Sequence, residues 1–358
     1  MPSLKEIKGR INSISSTLAI TSAMKMVASA KLQKAQMAIQ NMLPYERRLY
    51  SMLLDLMGAM NISAAASEDG SVRGSGSAER GFDQSGDRLS LSNRHDLAGM
   101  DGAYSLMAQR EVRKVAIVAF ASNSSLCGAF NSNVIREATA VINEYRASGL
   151  RDSDIVVYSV GRKMAEAMRK LGFPSPADFT KMSDSPSYEA ASALAQELLD
   201  GFVSGRFDKV ELVYNHYKST SSQPTTRQTY LPLSLADATA DIQVGKITDP
   251  ASETDTNRVA EPFGAPVVRQ GSPTTEDLIV EPSKEALIAT LLPKVVRLRI
   301  FTTLLDSAAA EHAARTVAMQ LATDNGNDLL QELTLEYNKG RQQKITSEIL
   351  DLVGGSMQ

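Results

Sequence analysis

The sequence predicts an α/β protein in which N- and C-terminal helices form an antiparallel coiled coil around a small central domain. Three observations support this prediction. Residues 1–60 repeat apolar side chains at steps of three and four, residues 281–358 stay compatible with a helix, and strand patterns alternate with helical patterns between them. Two long helices that bracket a domain in sequence pair most simply in opposite directions.

The N-terminal helix is expected to begin at Leu4, because Ser3 and Glu6 have the spacing of a capping box. From Ile7 onwards apolar residues recur at alternating steps of four and three, the period of two helices that wind around each other left-handedly. The members of this register include Ile7, Ile11, Ile14, Leu18, Ala28, Leu32, Leu49, Leu53, Leu56 and Met60. A continuous helix of this length would extend roughly 85 Å, so it must pack against a partner helix.

Both helical patterns contain breaks. Thr21 and Lys25 place polar groups in the register of the first helix, and Pro44 is expected to bend or interrupt it. The C-terminal helix is expected to kink at Pro293 or Gly326. These breaks weaken the pairing locally and leave the register intact elsewhere.

Antiparallel pairing predicts an unpaired helical end. If Met60 lies beside Ser283, Leu4 falls near Lys339, and the last residues extend beyond the pair as a single helix. The apolar residues of this overhang are Ile345, Ile349, Leu350, Leu352, Val353 and Met357. Because so much apolar surface is unfavourable in water, we expect a partner to enclose the overhang.

Residues 112–236 predict a small Rossmann-like α/β domain with a largely parallel sheet. The predicted strands and helices are 114–120, 131–148, 154–160, 162–171, 188–203, 209–217 and 226–233. A Ser- and Gly-rich insertion, 61–111, precedes the domain, and an acidic, Pro-containing insertion, 237–280, follows it. Between the coiled-coil helices 1–60 and 281–358, the chain therefore divides into three further segments.

Composition argues against several classes of function. The net charge of −3 gives no support to binding of nucleic acid, and Cys127 is the only cysteine, so no disulfide forms within the chain. No stretch approaches the ~20 consecutive apolar residues of a membrane-spanning helix, and the first residues lack the apolar region of a signal peptide. We expect this chain to meet a membrane only through a partner.

The sequence also lacks the motifs of nucleotide-binding and catalytic sites. The turn after the first predicted strand contains only Gly128, whereas a dinucleotide site needs several glycines there, and no P-loop occurs. Cys127 lies in the same turn and is interpreted as a small packing residue. The histidines that could serve it as a base are scattered: His95, His216 and His312. We therefore predict no catalytic, cofactor-binding or metal-binding residue, and an α/β enzyme with helical arms is disfavoured.

Motifs at both ends and in the centre resemble one family. The start contains Ile-Lys-Gly-Arg-Ile-Asn from Ile7 and Thr-Ser-Ala-Met-Lys-Met-Val from Thr21. The end contains Glu-His-Ala-Ala-Arg from Glu311 and Tyr-Asn-Lys-Gly-Arg-Gln from Tyr337, and the centre contains Leu-Cys-Gly-Ala-Phe-Asn from Leu126. Together they resemble the γ subunit of F-type ATP synthases, over roughly residues 1–58, 112–236 and 281–358.

This resemblance implies a non-catalytic central-stalk rotor of F1Fo ATP synthase, which couples ion-driven rotation of the c-ring to ATP synthesis or hydrolysis. It implies that the overhang turns inside a hexamer of α and β subunits, with partner contacts at Met24, Lys25, Arg315, Gln342 and Thr346. At the other end, the implied contacts with the ε subunit and the c-ring are Met60 and Glu281. The implied location is the cytoplasmic face of the bacterial inner membrane, and no cofactor is implied.

The turn before Leu126 departs from the family pattern. The family usually has Asp, a basic residue and Gly there, whereas this chain has Asn123, Ser124 and Ser125. A single cysteine gives no support to thiol regulation of the chloroplast type. From the residues alone, the alternative is a coiled-coil tether or chaperone with an α/β head, which predicts a stable homodimer.

Overall fold

The computed structural model describes residues 3–58, 105–233, 281 and 283–356. The elements are α1 Leu4–Gly58, β1 Val115–Phe120, α2 Phe130–Ala147, β2 Ile155–Val160, α3 Arg162–Lys170, α4 Thr180–Asp184, α5 Tyr188–Val203, β3 Lys209–Asn215, β4 Thr225–Leu231 and α6 Lys284–Ser356. Met60, residues 61–104 of the first predicted insertion and all of the second, 237–280, lie outside the described residues. The predicted fold class is confirmed, because terminal helices flank a central α/β domain, which we call the head.

The coiled coil of α1 and α6 is antiparallel and has the predicted register. A Cβ built on Gly340 would lie 3.1 Å from Leu4, and one built on Gly326 would lie 2.6 Å from Leu18. The buried apolar members of the register on α1 are Ile7, Ala28, Leu32, Leu49, Leu53 and Leu56. The residues buried along the line of contact between the two helices, the seam, therefore follow the steps of three and four residues that the sequence shows.

Neither proline ends its helix. α1 continues through Pro44, and α6 continues through both Pro293 and Gly326, so the expected interruption of α1 does not occur. A proline inside a helix costs about 3 kcal/mol, which tertiary packing of a long helical face can offset. Just beyond Pro44, the buried Glu46 accepts a hydrogen bond of 3.1 Å from the Thr302 hydroxyl and ties the two helices together.

The head contains a four-stranded sheet in the order β2-β1-β3-β4. β1 is parallel to β2 and to β3, and β4 is antiparallel to β3. Alternate residues of β1 face opposite sides: Ile117 packs with α2 and α3, whereas Val118 packs with α5 and the coiled coil. Both faces of the sheet are thus covered.

The part of the coiled coil formed by the end of α1 and the start of α6 belongs to the core of the head. Leu53 of α1 and Leu292 of α6 lie in one apolar cluster with Leu198 of α5. Upstream of residue 112, Leu106 is also buried in this cluster, and its carbonyl accepts a 2.9 Å hydrogen bond from the Leu233 N–H. Head and coiled coil therefore share one core at this end of the molecule.

Candidate functional site

The crevice in which open α/β sheets usually bind ligands is filled by α6. In such sheets the crevice lies at the carboxyl ends of the strands, where neighbouring connections run in opposite directions; here this point lies between β1 and β3. Cys127 and Phe130, which follow β1, pack against Ala310. A Cβ built on Gly128 would lie 3.8 Å from the Ala318 Cβ. The head therefore uses this edge to hold the coiled coil.

Asp306 of α6 binds the residues that follow β3. One of its carboxylate oxygens lies 2.6 Å from Nδ1 of His216, and the other accepts a 2.9 Å hydrogen bond from the Tyr217 N–H. The Tyr217 hydroxyl accepts a 2.5 Å hydrogen bond from Nε2 of Gln36 on α1. This chain of contacts connects the head to both helices of the coiled coil.

Arg315 holds the turn that follows β1. Its guanidinium donates hydrogen bonds to the Ser125 carbonyl at 2.6 Å and to the Ser124 hydroxyl at 2.9 Å. It also pairs with Glu311 at 2.7 Å, and both side chains are buried. Arg315 therefore points into the molecule, and its donors hold α6 against the head.

A cavity of about 330 Å³ lies where α1, α4 and α6 meet the turn after β1. Its apolar wall comes from α1, and the remaining walls are polar and charged. The lining residues are Ala23, Met24, Val27, Ala28, Lys31, Ser124, Ser183, Asp184, Glu311, His312 and Arg315. Met24 and Arg315, which are distant in sequence, thus border one space.

The buried groups of this cavity have shifted protonation equilibria. Burial, together with the positive charges of Lys31 and Arg315, lowers the pKa of His312 to about 4. Burial raises the pKa of Glu311, although the ion pair with Arg315 opposes that effect. Nδ1 of His312 has no hydrogen-bond partner within the described part of the chain. The cavity wall therefore favours an uncharged imidazole.

The helices α1 and α6 together form a rod. The residues predicted to contact partners lie at three heights along this rod. Met24 and Lys25 are half-buried on α1 near the cavity. Gln342 and Thr346 are exposed one turn apart on α6, with the Thr346 hydroxyl donating to the Gln342 carbonyl at 2.9 Å, roughly 40 Å beyond the cavity by helical rise. Glu281 is exposed at the opposite end. Met60 lies outside the described residues.

The C-terminal end of α6 extends past the start of α1 as a single helix. Because Leu4 lies beside Gly340, the residues from Arg341 onwards project beyond the pair. The exposed apolar side chains of this overhang are Ile345, Ile349, Leu350, Leu352 and Val353. Their exposure confirms the projecting apolar end that the register predicts.

Sequence reasoning did not anticipate the cavity. Its wall includes Ser183 and Asp184 of α4, a five-residue helix that is too short to show periodicity. For His312 the sequence did contain an indication of a shared site, because this residue is adjacent to Glu311 in the C-terminal motif. Within the described ranges, no group of His, Cys, Asp and Glu is arranged to hold a metal ion. No helix in those ranges has the length and apolarity required to cross a membrane.

Comparisons with known proteins agree along the whole chain. A family model described as ATP synthase matches residues 3–357. The ATP synthase gamma chains of Phocaeicola vulgatus and Bacteroides thetaiotaomicron are 47% and 45% identical to this chain, and each comparison covers 100% of both chains. A chain in the OSCP/F1/c-ring structure of the Euglena gracilis mitochondrial ATP synthase, in rotational state 3, is 18% identical. It has the same fold, with a TM-score of 0.52 over 99% of this chain and 93% of that one. The protein therefore belongs to the ATP synthase gamma chain family.

Proposed function

We propose that this chain is the central rotor shaft of an F1Fo ATP synthase and couples ion-driven rotation of the c-ring to ATP synthesis and hydrolysis. The apolar overhang carries this proposal. Ile349 and Leu352 are 55% and 75% exposed on an unpaired helix, which suits a helix that is enclosed by other subunits. Apolar contacts are non-directional, so an enclosed helix of this kind can turn while each surrounding subunit meets a different side of it.

The proposed role is mechanical, and the chain contributes no catalytic group. The filled crevice supports this view, because α6 occupies the place where an α/β domain would bind a substrate. The hydrogen bonds of Asp306 and Arg315, which we call the clamps, support it as well. They connect the head to the rod that would carry torque. Full-length similarity to gamma chains favours this role over a coiled-coil tether or chaperone with an α/β head.

The proposed partners follow the three levels of the rod. The α and β subunits would enclose the overhang with Gln342 and Thr346, and would meet the level of Met24 and Lys25 further down. Arg315 would act there indirectly, by fixing the turn after β1. The ε subunit and the c-ring would bind the end that carries Met60 and Glu281. The chain would then lie on the cytoplasmic face of the bacterial inner membrane and reach the membrane through the c-ring.

Deletion of residues 346–358 tests this function. We expect the shortened chain to keep its head and coiled coil, because the described side chains in that segment are exposed. Thermal unfolding should change little. In the reconstituted complex, the number of ions pumped per ATP hydrolysed should fall at least severalfold, because the helical end that the α and β subunits would enclose is lost.

The control is the double variant Glu111→Ala/Arg113→Ala. These residues form an exposed ion pair of 2.7 Å just before β1, far from the overhang, and such pairs contribute little to stability. Coupling in this variant should equal that of the unmodified chain. Global unfolding of the shortened chain, or full coupling without the overhang, would contradict the proposed function.

A further inference from the structure

The cavity between the head and the rod has the size of a small-molecule site. Its volume of about 330 Å³ lies within the range of ~300–1,000 Å³ that ligand pockets have in proteins. α1 supplies an apolar wall of Ala23, Met24, Val27 and Ala28, and the polar walls come from α4, α6 and the turn after β1. An apolar wall combined with a few convergent polar groups is typical of a ligand site.

Among the lining residues that the structure describes, four side chains are charged, and two of them neutralise each other. Arg315 and Glu311 form a buried ion pair of 2.7 Å. The guanidinium also donates to the Ser125 carbonyl and to the Ser124 hydroxyl. Both charges are therefore compensated within the fold and need no ligand.

The other two charged side chains are Lys31 of α1 and Asp184 of α4, and both residues are exposed. Neither side chain forms a hydrogen bond or an ion pair within the part of the chain that the structure describes. Both lie near Glu311: burial and the Arg315 cation act most strongly on the pKa of that residue, and then Asp184 raises it and Lys31 lowers it. A cation and a carboxylate therefore border one space without pairing with each other.

The described lining carries no net charge near pH 7. The ion pair cancels, the charges of Lys31 and Asp184 cancel, and burial lowers the pKa of His312 to about 4, so its imidazole is neutral. A simple anion would meet the carboxylate of Asp184, and a simple cation would meet the ammonium of Lys31. The lining is therefore complementary to a molecule that carries one charge of each sign and an apolar part.

We propose that this cavity binds a small zwitterion with an apolar side chain, which is the chemistry of an α-amino acid such as leucine. The ammonium of Lys31 binds the carboxylate of the ligand, and the carboxylate of Asp184 binds its ammonium, both through charge-assisted hydrogen bonds. The side chain of the ligand packs on the apolar wall, where Val27 is 56% exposed and Met24 can adapt its shape.

A ligand in this position contacts α1, α4 and α6 together. Because it binds only where these elements meet, it stabilises the junction between the head and the rod. The proposal goes beyond the proposed function and does not depend on it, since the whole site lies within one chain.

The first test is a titration of L-leucine into the full chain, followed by ligand-observed NMR. We expect a Kd of about 1 mM or lower. Three analogues each lack one part of the ligand: glycine lacks the apolar side chain, 3-methylbutylamine lacks the carboxylate, and 4-methylpentanoate lacks the ammonium. Each analogue should bind about tenfold more weakly than leucine, or weaker still.

Two variants assign each charged group of the ligand to its partner. Lys31→Met should abolish the binding of 4-methylpentanoate and leave that of 3-methylbutylamine unchanged, and Asp184→Asn should do the reverse. Both variants should weaken the binding of leucine about tenfold or more. The control is Lys34→Met, because Lys34 is exposed one turn further along α1. It should leave the Kd of leucine unchanged.

Several results would overturn the proposal. Equal binding of glycine and leucine would show that the apolar wall makes no contact. Unchanged binding of leucine in both variants would place the ligand elsewhere on the chain. Tighter binding of inorganic phosphate than of leucine would make the cavity an anion site. None of these results touches the proposed function, because a rotor shaft needs no ligand at this position.

Discussion

His312 and Glu311 are adjacent residues whose protonation is set by the same cavity wall. Burial and two nearby cations keep the pKa of His312 at about 4, so this histidine is neutral near pH 7. Burial shifts the pKa of Glu311 upwards, against the effect of its pairing with Arg315. The two groups therefore contribute opposite slopes to the dependence of stability on pH.

We expect the His312 contribution to be complete above pH 6.5 and to be lost as the pH falls towards 4. The folded state binds fewer protons than the unfolded state in this window, because the pKa is lowered from 6.5 to about 4. The loss should reach about 2 kcal/mol after allowance for partial solvent exposure. Chemical denaturation of the unmodified chain and of His312→Gln, measured across this range, isolates the histidine from Glu311. Parallel pH profiles for the two proteins would exclude the effect.

Replacement of Arg315 by Ala should destabilise the chain by about 3 kcal/mol, because it leaves the buried Glu311 carboxylate without its cation. The turn at Ser124 and Ser125 would also lose two hydrogen bonds to α6. Arg341→Ala is the control, since Arg341 is exposed on the same helix. Urea denaturation should show a large change in the first variant and almost none in the second. Equal changes in the free energy of unfolding of the two variants would mean that the contacts of Arg315 contribute nothing to stability.

At the scale of elements, the pairing of α1 and α6 depends on close approach at small residues. Gly326 lies against Leu18, and Gly340 lies against Leu4. Gly9, by contrast, has no atom within 4 Å of a Cβ built on it. Glycine in a helix is intrinsically unfavourable, so its presence at Gly326 is explained by the space that the facing helix needs.

Gly9→Ala and Gly326→Ala should therefore differ in their effect on the coiled coil. The first should stabilise the chain by about 0.5–1 kcal/mol, because the helix gains propensity without a clash. The second should give none of this gain, because the added carbon would lie 2.6 Å from the Leu18 side chain and force it to move. Thermal unfolding of both variants decides the point. An equal increase in Tm would show that Leu18 has room to rearrange.

At the scale of the whole molecule, the two ends of the chain form one rod from which the head projects. Thr323 of α6 donates a 3.1 Å hydrogen bond to Thr21 of α1, although the two residues are 302 positions apart. Nearby, Leu32 packs with Ala309 and Ala313. These contacts predict pairing within one molecule rather than between two.

Cysteines placed at Leu18 and Gly326 should form a disulfide within the chain under mild oxidation, because these positions face each other across the seam. The native Cys127 is buried and should not compete. Cysteines at Leu18 and Gly340 provide a mismatched control about 21 Å apart along the helix by rise per residue. Non-reducing electrophoresis distinguishes bridged monomers from dimers. Dimers from the matched pair would contradict the intramolecular rod.

Several features could be predicted from the sequence because they depend on local order. The seam follows from apolar residues at steps of three and four, and the direction of pairing follows from helices at both ends. The level at which Leu18 meets Gly326 follows from the same rise per residue in both helices. Strand and helix alternation likewise predicted the parallel pairing of β1 with β2 and β3.

Other features were decided only by tertiary contacts. The filling of the ligand crevice by α6 and the inward orientation of Arg315 depend on partners such as Ser125, which lies 190 positions away. Leu126, which follows Ser125 in this turn, has a left-handed backbone with a φ of +68°. A local pattern reports which side of an element is buried, but not which distant group it meets. Periodicity in the chain therefore sets the rod, whereas the clamps and the cavity arise where unrelated segments come together in space.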